Sequence, residues 1–153
     1  GDILSQVSLN IKDDENARSL YDKITRIAIR QITNFIPKLK NNTYIRSQQN
    51  ENLATSWRKR SGLDGLIDWR MSATSIYNLV RSLSKPYVGA EFKLNNITYK
   101  VWKCELLDGI YKNAEPGKIV EIYDDQPIIK CGEGIIKLTE IVPNKIYKKG
   151  EYL

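Results

Sequence analysis

Four consecutive residues, Trp57 to Arg60, combine two side-chain types that can recognise a nucleotide. The guanidinium groups of Arg58 and Arg60 can each pair with phosphate oxygens through two parallel hydrogen bonds, and Lys59 adds a further positive charge. The indole of Trp57 can stack on a base or a sugar. The alternative is a solvated basic turn in which Trp57 packs against a β-barrel formed by the second half of the chain. Arg81 is also a candidate for phosphate contact, or it anchors the turn that follows its predicted helix.

The composition excludes several kinds of catalytic site. The 153 residues contain no histidine, so the chain cannot build a Ser-His-Asp triad, a Cys-His pair or a histidine-ligated zinc site. Cys104 and Cys131 lack metal-ligand spacing, and their apolar surroundings predict buried free thiols in a cytoplasmic protein. The net charge of +6 suits an anionic partner or a lysine-rich solvated surface. No apolar run approaches the roughly 18–20 residues that span a membrane, so no membrane partner is expected.

The first half of the sequence predicts a strand, a helix and a linker. Apolar residues alternate with polar ones in residues 2–11, which is the period of a half-buried strand. In residues 16–36 apolar positions recur every three or four residues, which predicts an amphipathic helix that buries one face and ends at Pro37. Residues 38–70 show no regular period, and a stretch of this length is usually a linker or a functional loop. A domain boundary is therefore expected near residues 40–50.

The second half predicts one short helix followed by five strands. Ser72 can cap the helix, and Pro86 follows its expected end. Tight turns are expected between the strands, and two large apolar neighbours at Val101 and Trp102 indicate a bulge. Five short strands in succession suit a small barrel of the OB type. The predicted strands are residues 91–94, 97–106, 118–123, 127–131 and 135–142.

The side chains of this half divide into a predicted core and a predicted surface. Trp69 is expected to fill a gap between the helix and the sheet, while Asp68 pairs with a nearby arginine. The barrel core is predicted to contain Val101, Trp102, Ile119, Ile128, Ile129, Ile136 and Leu138. Exposed aromatic residues beside lysines could stack on nucleic-acid bases. The candidates for that role are Tyr99, Tyr111, Tyr123 and Tyr147.

Several short motifs follow one another in a characteristic order. They are Trp57-Arg58-Lys59-Arg60, Asp64-Gly65-Leu66-Ile67-Asp68-Trp69, Ile76-Tyr77-Asn78-Leu79-Val80-Arg81-Ser82-Leu83, Pro86-Tyr87-Val88-Gly89-Ala90, Val101-Trp102-Lys103, Pro116-Gly117-Lys118-Ile119 and Cys131-Gly132-Glu133-Gly134-Ile135. In this order and spacing the chain resembles the folate-dependent formyltransferase family, which includes methionyl-tRNA formyltransferases and sugar-nucleotide formyltransferases. The resemblance extends over nearly the whole chain.

The resemblance implies an α+β architecture in three parts. Residues 1–45 would be the tail of a Rossmann-like catalytic domain, formed by a strand plus a helix, and residues 46–70 a linker. Residues 71–153 would be a helix plus an OB-like carboxy-terminal barrel domain. The full-length protein would move a formyl group from 10-formyltetrahydrofolate to an amine. The acceptor-binding residues implied are Trp57, Arg58, Lys59, Arg60 and Arg81.

The resemblance also implies that the catalytic residues lie outside this chain. Gly1-Asp2-Ile3-Leu4 matches the second half of a family stretch of the form Asp-x-Gly-Asp-Ile-Leu. The family's catalytic aspartate is the first residue of that stretch and would precede Gly1 by two positions, whereas Asp2 matches a neighbouring position. The family's Asn-x-His pair lies further upstream, in the half that binds the formyl-folate. This chain would therefore hold no catalytic and no cofactor-binding residue, and alone it would be inactive.

The motifs favour an amino-sugar nucleotide as the acceptor. Arg58-Lys59-Arg60 and Tyr77-Asn78-Leu79-Val80-Arg81 look more like the sugar-modifying branch of the family. One alternative is a methionyl-tRNA formyltransferase in which the barrel and linker contact initiator methionyl-tRNA. Another is a free-standing OB module that binds nucleic acid. The sequence leaves the oligomeric state open.

Overall fold

In the computed structural model, which describes residues 1–153, the first long element is helix α1, Ala17–Lys40. A capping box fixes its start, because the Ser19 N–H donates to Asn16 Oδ1 at 3.0 Å and the Asn16 N–H donates to Ser19 Oγ at 3.1 Å. The predicted helix is confirmed, but its predicted end is wrong. The helix continues beyond Pro37, whose carbonyl accepts a hydrogen bond from the Asn41 N–H at 3.1 Å. Proline removes its own N–H donor but leaves its carbonyl available for the following turn.

Residues 2–11 do not form the predicted strand. Within this segment only Ile3 makes a β-bridge, an antiparallel one with Ser47. The two backbone hydrogen bonds of that bridge measure 2.7 and 2.9 Å. Val7 and Ile11 are 52% and 60% exposed. Alternating apolar residues make a strand only where a neighbouring strand supplies hydrogen-bond partners, and no ladder forms here.

The apolar face of α1 is not buried, contrary to the prediction. No residue of the helix is buried. An apolar stripe runs along the helix at spacings of three, four or eight residues, and its members are 38% to 56% exposed. The stripe consists of Tyr21, Ile24, Ile32, Ile36 and Leu39. None of the helices in the structure combines the length and the apolar character that a membrane crossing requires.

A five-stranded antiparallel sheet forms the framework of the second half, and it confirms the five predicted strands. Its order is β1-β2-β5-β4-β3, which is a Greek-key arrangement with β1 and β3 at the edges. No ladder joins the two edge strands, so the sheet is open. The strands are β1 (Ala90–Leu94), β2 (Ile97–Leu107), β3 (Ile119–Tyr123), β4 (Gln126–Lys130) and β5 (Ile135–Val142).

The turns and the bulge follow the sequence signals. Asn95 and Asn96 both have positive φ, 49° and 64°, as a two-residue type I′ hairpin turn requires. Asp124 and Asp125, between β3 and β4, also have positive φ, 50° and 61°. The register of β2 against β5 shifts between Val101 and Lys103, which confirms the predicted bulge.

Helix α2, Ala73–Ser82, packs on the inner face of the sheet. Ser72 caps it by accepting a hydrogen bond from the Ser75 N–H at 3.1 Å. Ile76 and Val80 face the sheet and are 0% and 1% exposed. Trp69 joins the same core, with its ring centroid 5.7 Å from that of Phe92, which confirms its predicted gap-filling role.

Three aromatic residues differ from their predicted positions. Tyr99 and Tyr147, predicted as exposed, are core residues with 5% and 6% exposure. Trp102, predicted as core, is only partly buried, and the Lys85 ammonium lies 5.2 Å from its ring centroid. Trp102 is the extra residue of the bulge that follows Val101, and of the two only Val101 is buried in the core. Val101 is fully buried, and Tyr99, two residues earlier, shares its face.

The chain after β5 returns to the β3 edge. The Ile119 N–H donates to the Glu151 carbonyl and the Gly150 N–H to the Ile119 carbonyl, both at 2.8 Å. The Leu153 N–H donates to the Gly117 carbonyl at 3.0 Å. Gly117 has φ of +89°, and a Cβ there would lie 3.1 Å from the carbonyl oxygen of Leu153. The tail therefore covers part of an otherwise open edge.

Two compact units emerge from this arrangement, residues 1–59 and residues 60–153. The first contains α1 and a short 3-10 helix, Glu51–Leu53. The second begins with another 3-10 helix, Gly62–Gly65, and contains α2 and the whole sheet. The large hydrophobic core lies entirely within the second unit.

Candidate acceptor-binding surface

The basic segment Trp57–Arg60 lies in irregular chain between the two 3-10 helices. All four side chains are exposed, and Trp57 is 90% exposed. An exposed indole followed by three cations offers one stacking surface and several phosphate partners.

The boundary between the two units divides the predicted site. Trp57, Arg58 and Lys59 belong to the first unit, whereas Arg60 and Arg81 belong to the second. Ser61, next to Arg60, is held by Asp64, whose carboxylate accepts from the Ser61 N–H at 2.6 Å. Arg60, the last residue of the segment, therefore directly precedes an ordered turn.

Arg81 is held on the surface of α2 by its own helix. Its Nε donates to Asn78 Oδ1 at 2.8 Å, and its guanidinium carbon lies 5.8 Å from the centroid of the Tyr77 ring. The Arg81 carbonyl accepts from Ser84 Oγ at 2.9 Å, so the backbone of this residue contacts the chain that follows the helix. These partners, three and four residues earlier on the same helix, orient the guanidinium. The contact with Asn78 was not predicted from the sequence, although a residue three positions before an arginine on the same helix face is a neighbour of that arginine.

Asp68 and Arg70 form a local clamp before α2, as the pairing prediction required. Arg70 Nε and Nη2 donate to the Asp68 carboxylate at 2.8 and 2.6 Å, and the Arg70 N–H donates to Oδ1 at 3.0 Å. These side-chain and backbone hydrogen bonds lower the pKa of Asp68 to about 2. The Gly132 N–H donates to the carbonyls of Trp69 and Met71, both at 2.9 Å. The clamp thus belongs to the turn that precedes α2, and hydrogen bonds from Gly132 tie this turn to the connection between β4 and β5.

Both cysteines are buried free thiols, as predicted. Burial raises the pKa of Cys104 to about 12 and that of Cys131 to about 11. A thiol in this state is almost entirely protonated at neutral pH, so neither residue is suited to nucleophilic chemistry.

A cleft of about 370 Å³ between β3 and the chain after β5 was not predicted from the sequence. Tyr147 lies in its wall, and the Tyr147 hydroxyl is buried with no hydrogen-bond partner. Lys145 is engaged within the fold, since its Nζ donates to both Glu151 oxygens at 2.6 and 2.8 Å. The lining consists of Ile122, Asp125, Asn144, Lys145, Ile146 and Tyr147. No sequence signal predicts that these two segments are close together, because their proximity depends on the return of the chain after β5 to the β3 edge.

Comparison with known protein families gives one match over most of the chain. Residues 61–152 match the family described as formyl transferase, C-terminal domain. The matched region starts just after Arg60 and includes Asp68, α2 and the whole sheet.

Curated relatives extend the similarity to the residues before that domain. The chain is 32% identical to a methionyl-tRNA formyltransferase of Caldanaerobacter subterraneus subsp. tengcongensis, over 100% of this chain and 49% of the relative. It is 34% identical to the bifunctional polymyxin resistance protein ArnA of Wigglesworthia glossinidia brevipalpis, over 86% of this chain and 19% of the relative. The chain spans about half the length of the methionyl-tRNA formyltransferases it matches.

Solved structures share the fold. HypX from Aquifex aeolicus in complex with tetrahydrofolic acid has a TM-score of 0.68 at 15% identity, over 92% of this chain and 24% of HypX. An N-formyltransferase from Helicobacter canadensis, in complex with folinic acid and dTDP-3-aminofucose, has a TM-score of 0.65 at 22% identity, over 90% of this chain and 49% of that protein. With the family match over residues 61–152, these likenesses lead to one conclusion: the chain belongs to the formyltransferase family and contains its C-terminal domain.

Proposed function

We propose that this chain is the carboxy-terminal part of a cytoplasmic enzyme that transfers a formyl group from 10-formyltetrahydrofolate to the amine of an amino-sugar nucleotide. The observation that carries the acceptor assignment is the exposed Trp57–Arg60 segment, which directly precedes the family domain. A sugar nucleotide presents an aromatic base and a diphosphate. An exposed indole and adjacent guanidinium groups are complementary to both.

Arg81 supports the same acceptor class. Asn78 fixes one edge of its guanidinium through Nε, and such pre-orientation lowers the entropy cost of binding a phosphate. Lysine could not reproduce this geometry, because its ammonium is a point charge without the planar fork. In the longer enzyme of this proposal, Arg81→Ala is expected to raise KM for the acceptor more than it lowers kcat.

A second candidate acceptor is initiator methionyl-tRNA. The methionyl-tRNA formyltransferases match the chain at 32% to 33% identity over nearly all of its residues, which favours this candidate by sequence similarity. The net charge of +6 also suits a polyanion. The same basic segment would then contact RNA phosphates, and binding would weaken steeply as salt rises.

The experiment compares acceptors with the longer enzyme and 10-formyltetrahydrofolate. The substrates are a set of amino-sugar nucleotides and initiator methionyl-tRNA, and mass spectrometry detects the added formyl group. Formylation of an amino-sugar nucleotide without formylation of the tRNA supports the first proposal. Formylation of the tRNA alone would reject it in favour of the second. Trp57→Ala removes the side chain that is proposed to stack on the acceptor. Tyr44→Ala, which removes another aromatic ring from the first unit, is its control.

The folate is not proposed to be held by this chain. Its 153 residues lack the histidine that the family mechanism uses as a proton carrier. Asp2 is engaged in a surface ion pair, with its carboxylate 3.6 Å from Arg46 Nη1. The isolated 153 residues are therefore expected to show no formyl transfer, measured by tetrahydrofolate release. Turnover by the isolated chain would contradict this part of the proposal.

We also propose the finer domain assignment. Residues 1–45 would be the tail of the Rossmann-like catalytic domain, residues 46–70 the linker, and residues 71–153 a helix plus an OB-like barrel. The exposed apolar stripe of α1 supports the first assignment, because a helix with such a stripe normally packs on another layer. The Greek-key order of the sheet supports a barrel-like arrangement.

A further inference from the structure

We draw no further inference here: the strongest candidate, the apolar surface patch that Leu63 and Leu66 form with Tyr87 and Val88 beside the β1 edge of the sheet, carries nothing because no feature of the structure shows what covers it.

Discussion

Gly132 lies where two backbone segments meet with no room for a side chain. A Cβ there would lie 1.9 Å from the Arg70 carbonyl oxygen and 2.8 Å from the Arg70 carbonyl carbon. Because both neighbours are backbone atoms, Gly132→Ala must separate the turn from the sheet. We expect a loss of about 3 kcal/mol in the free energy of unfolding, measured by urea denaturation. Gly62→Ala is the matched control, since no atom lies within 4 Å of its built Cβ. Equal midpoints for the two variants would contradict the assignment.

The clamp between Asp68 and Arg70 predicts an acid-dependent contribution to stability. The folded pKa of Asp68, about 2, is below the unfolded value, so the pair contributes fully above about pH 4 and loses its contribution as pH falls through 2. In Arg70→Ala the pKa of Asp68 should return towards its ordinary value. Carbon-detected NMR titration of the carboxylate measures both states. An unchanged titration in Arg70→Ala would show that the arginine is not the cause.

Residue types alone predicted the surroundings of some of these side chains but not of others. The Asp68 pairing and the burial of Trp69 were predictable, because a charged group needs a partner and a large ring needs a core. The burial of Trp102 and Tyr99 was not predictable, since it depends on which face of β2 packs against the core. One residue of register exchanges the two faces, and the bulge obscures that register in the sequence.

At the scale of elements, the uncovered stripe of α1 carries the clearest prediction. Ile32 is 46% exposed in this chain, so Ile32→Ser should change its stability by less than about 0.5 kcal/mol. In the longer enzyme, where the stripe is proposed to be covered, the same change should cost about 2 kcal/mol or more. Thermal unfolding of both lengths makes the comparison. Arg26→Ser, outside the stripe, is the control and should be mild in both. An equally mild Ile32→Ser in the longer enzyme would argue against burial of this face.

Helices and hairpins were predictable where local chemistry decides them. Ser72 caps α2 and asparagine pairs make a type I′ turn, and both signals lie within a few residues. The predicted strand in residues 2–11 failed because pairing is not a local property. Its alternation matches a strand, but only Ile3 finds a β-bridge.

For the whole molecule, the division at residue 60 predicts independent folding of the second unit. All residues of the large core lie between Ile67 and Tyr147. A fragment comprising residues 60–153 should therefore unfold cooperatively on its own. Circular dichroism during thermal unfolding tests this. A fragment without a cooperative transition would show that residues 1–59 are needed for the core to form.

The family could be inferred from motifs along the chain, whereas the acceptor could not. The motifs before α2 and between β4 and β5 contain structural residues such as Trp69 and Gly132, and both lie within residues 61–152, which match the family domain. Acceptor choice depends on how exposed residues such as Trp57 and Arg81 meet a ligand, and side-chain type does not determine that geometry.

The tail pairing along β3 has a practical consequence for any labelled form of this 153-residue chain. The Leu153 N–H is hydrogen-bonded to the Gly117 carbonyl. A fusion partner attached after Leu153 would therefore begin next to Gly117 and Trp69. A short rigid junction there would pull the tail from the edge strand. An immobilised or fluorescent version therefore needs a flexible spacer after Leu153, or a label attached to an exposed loop away from this edge.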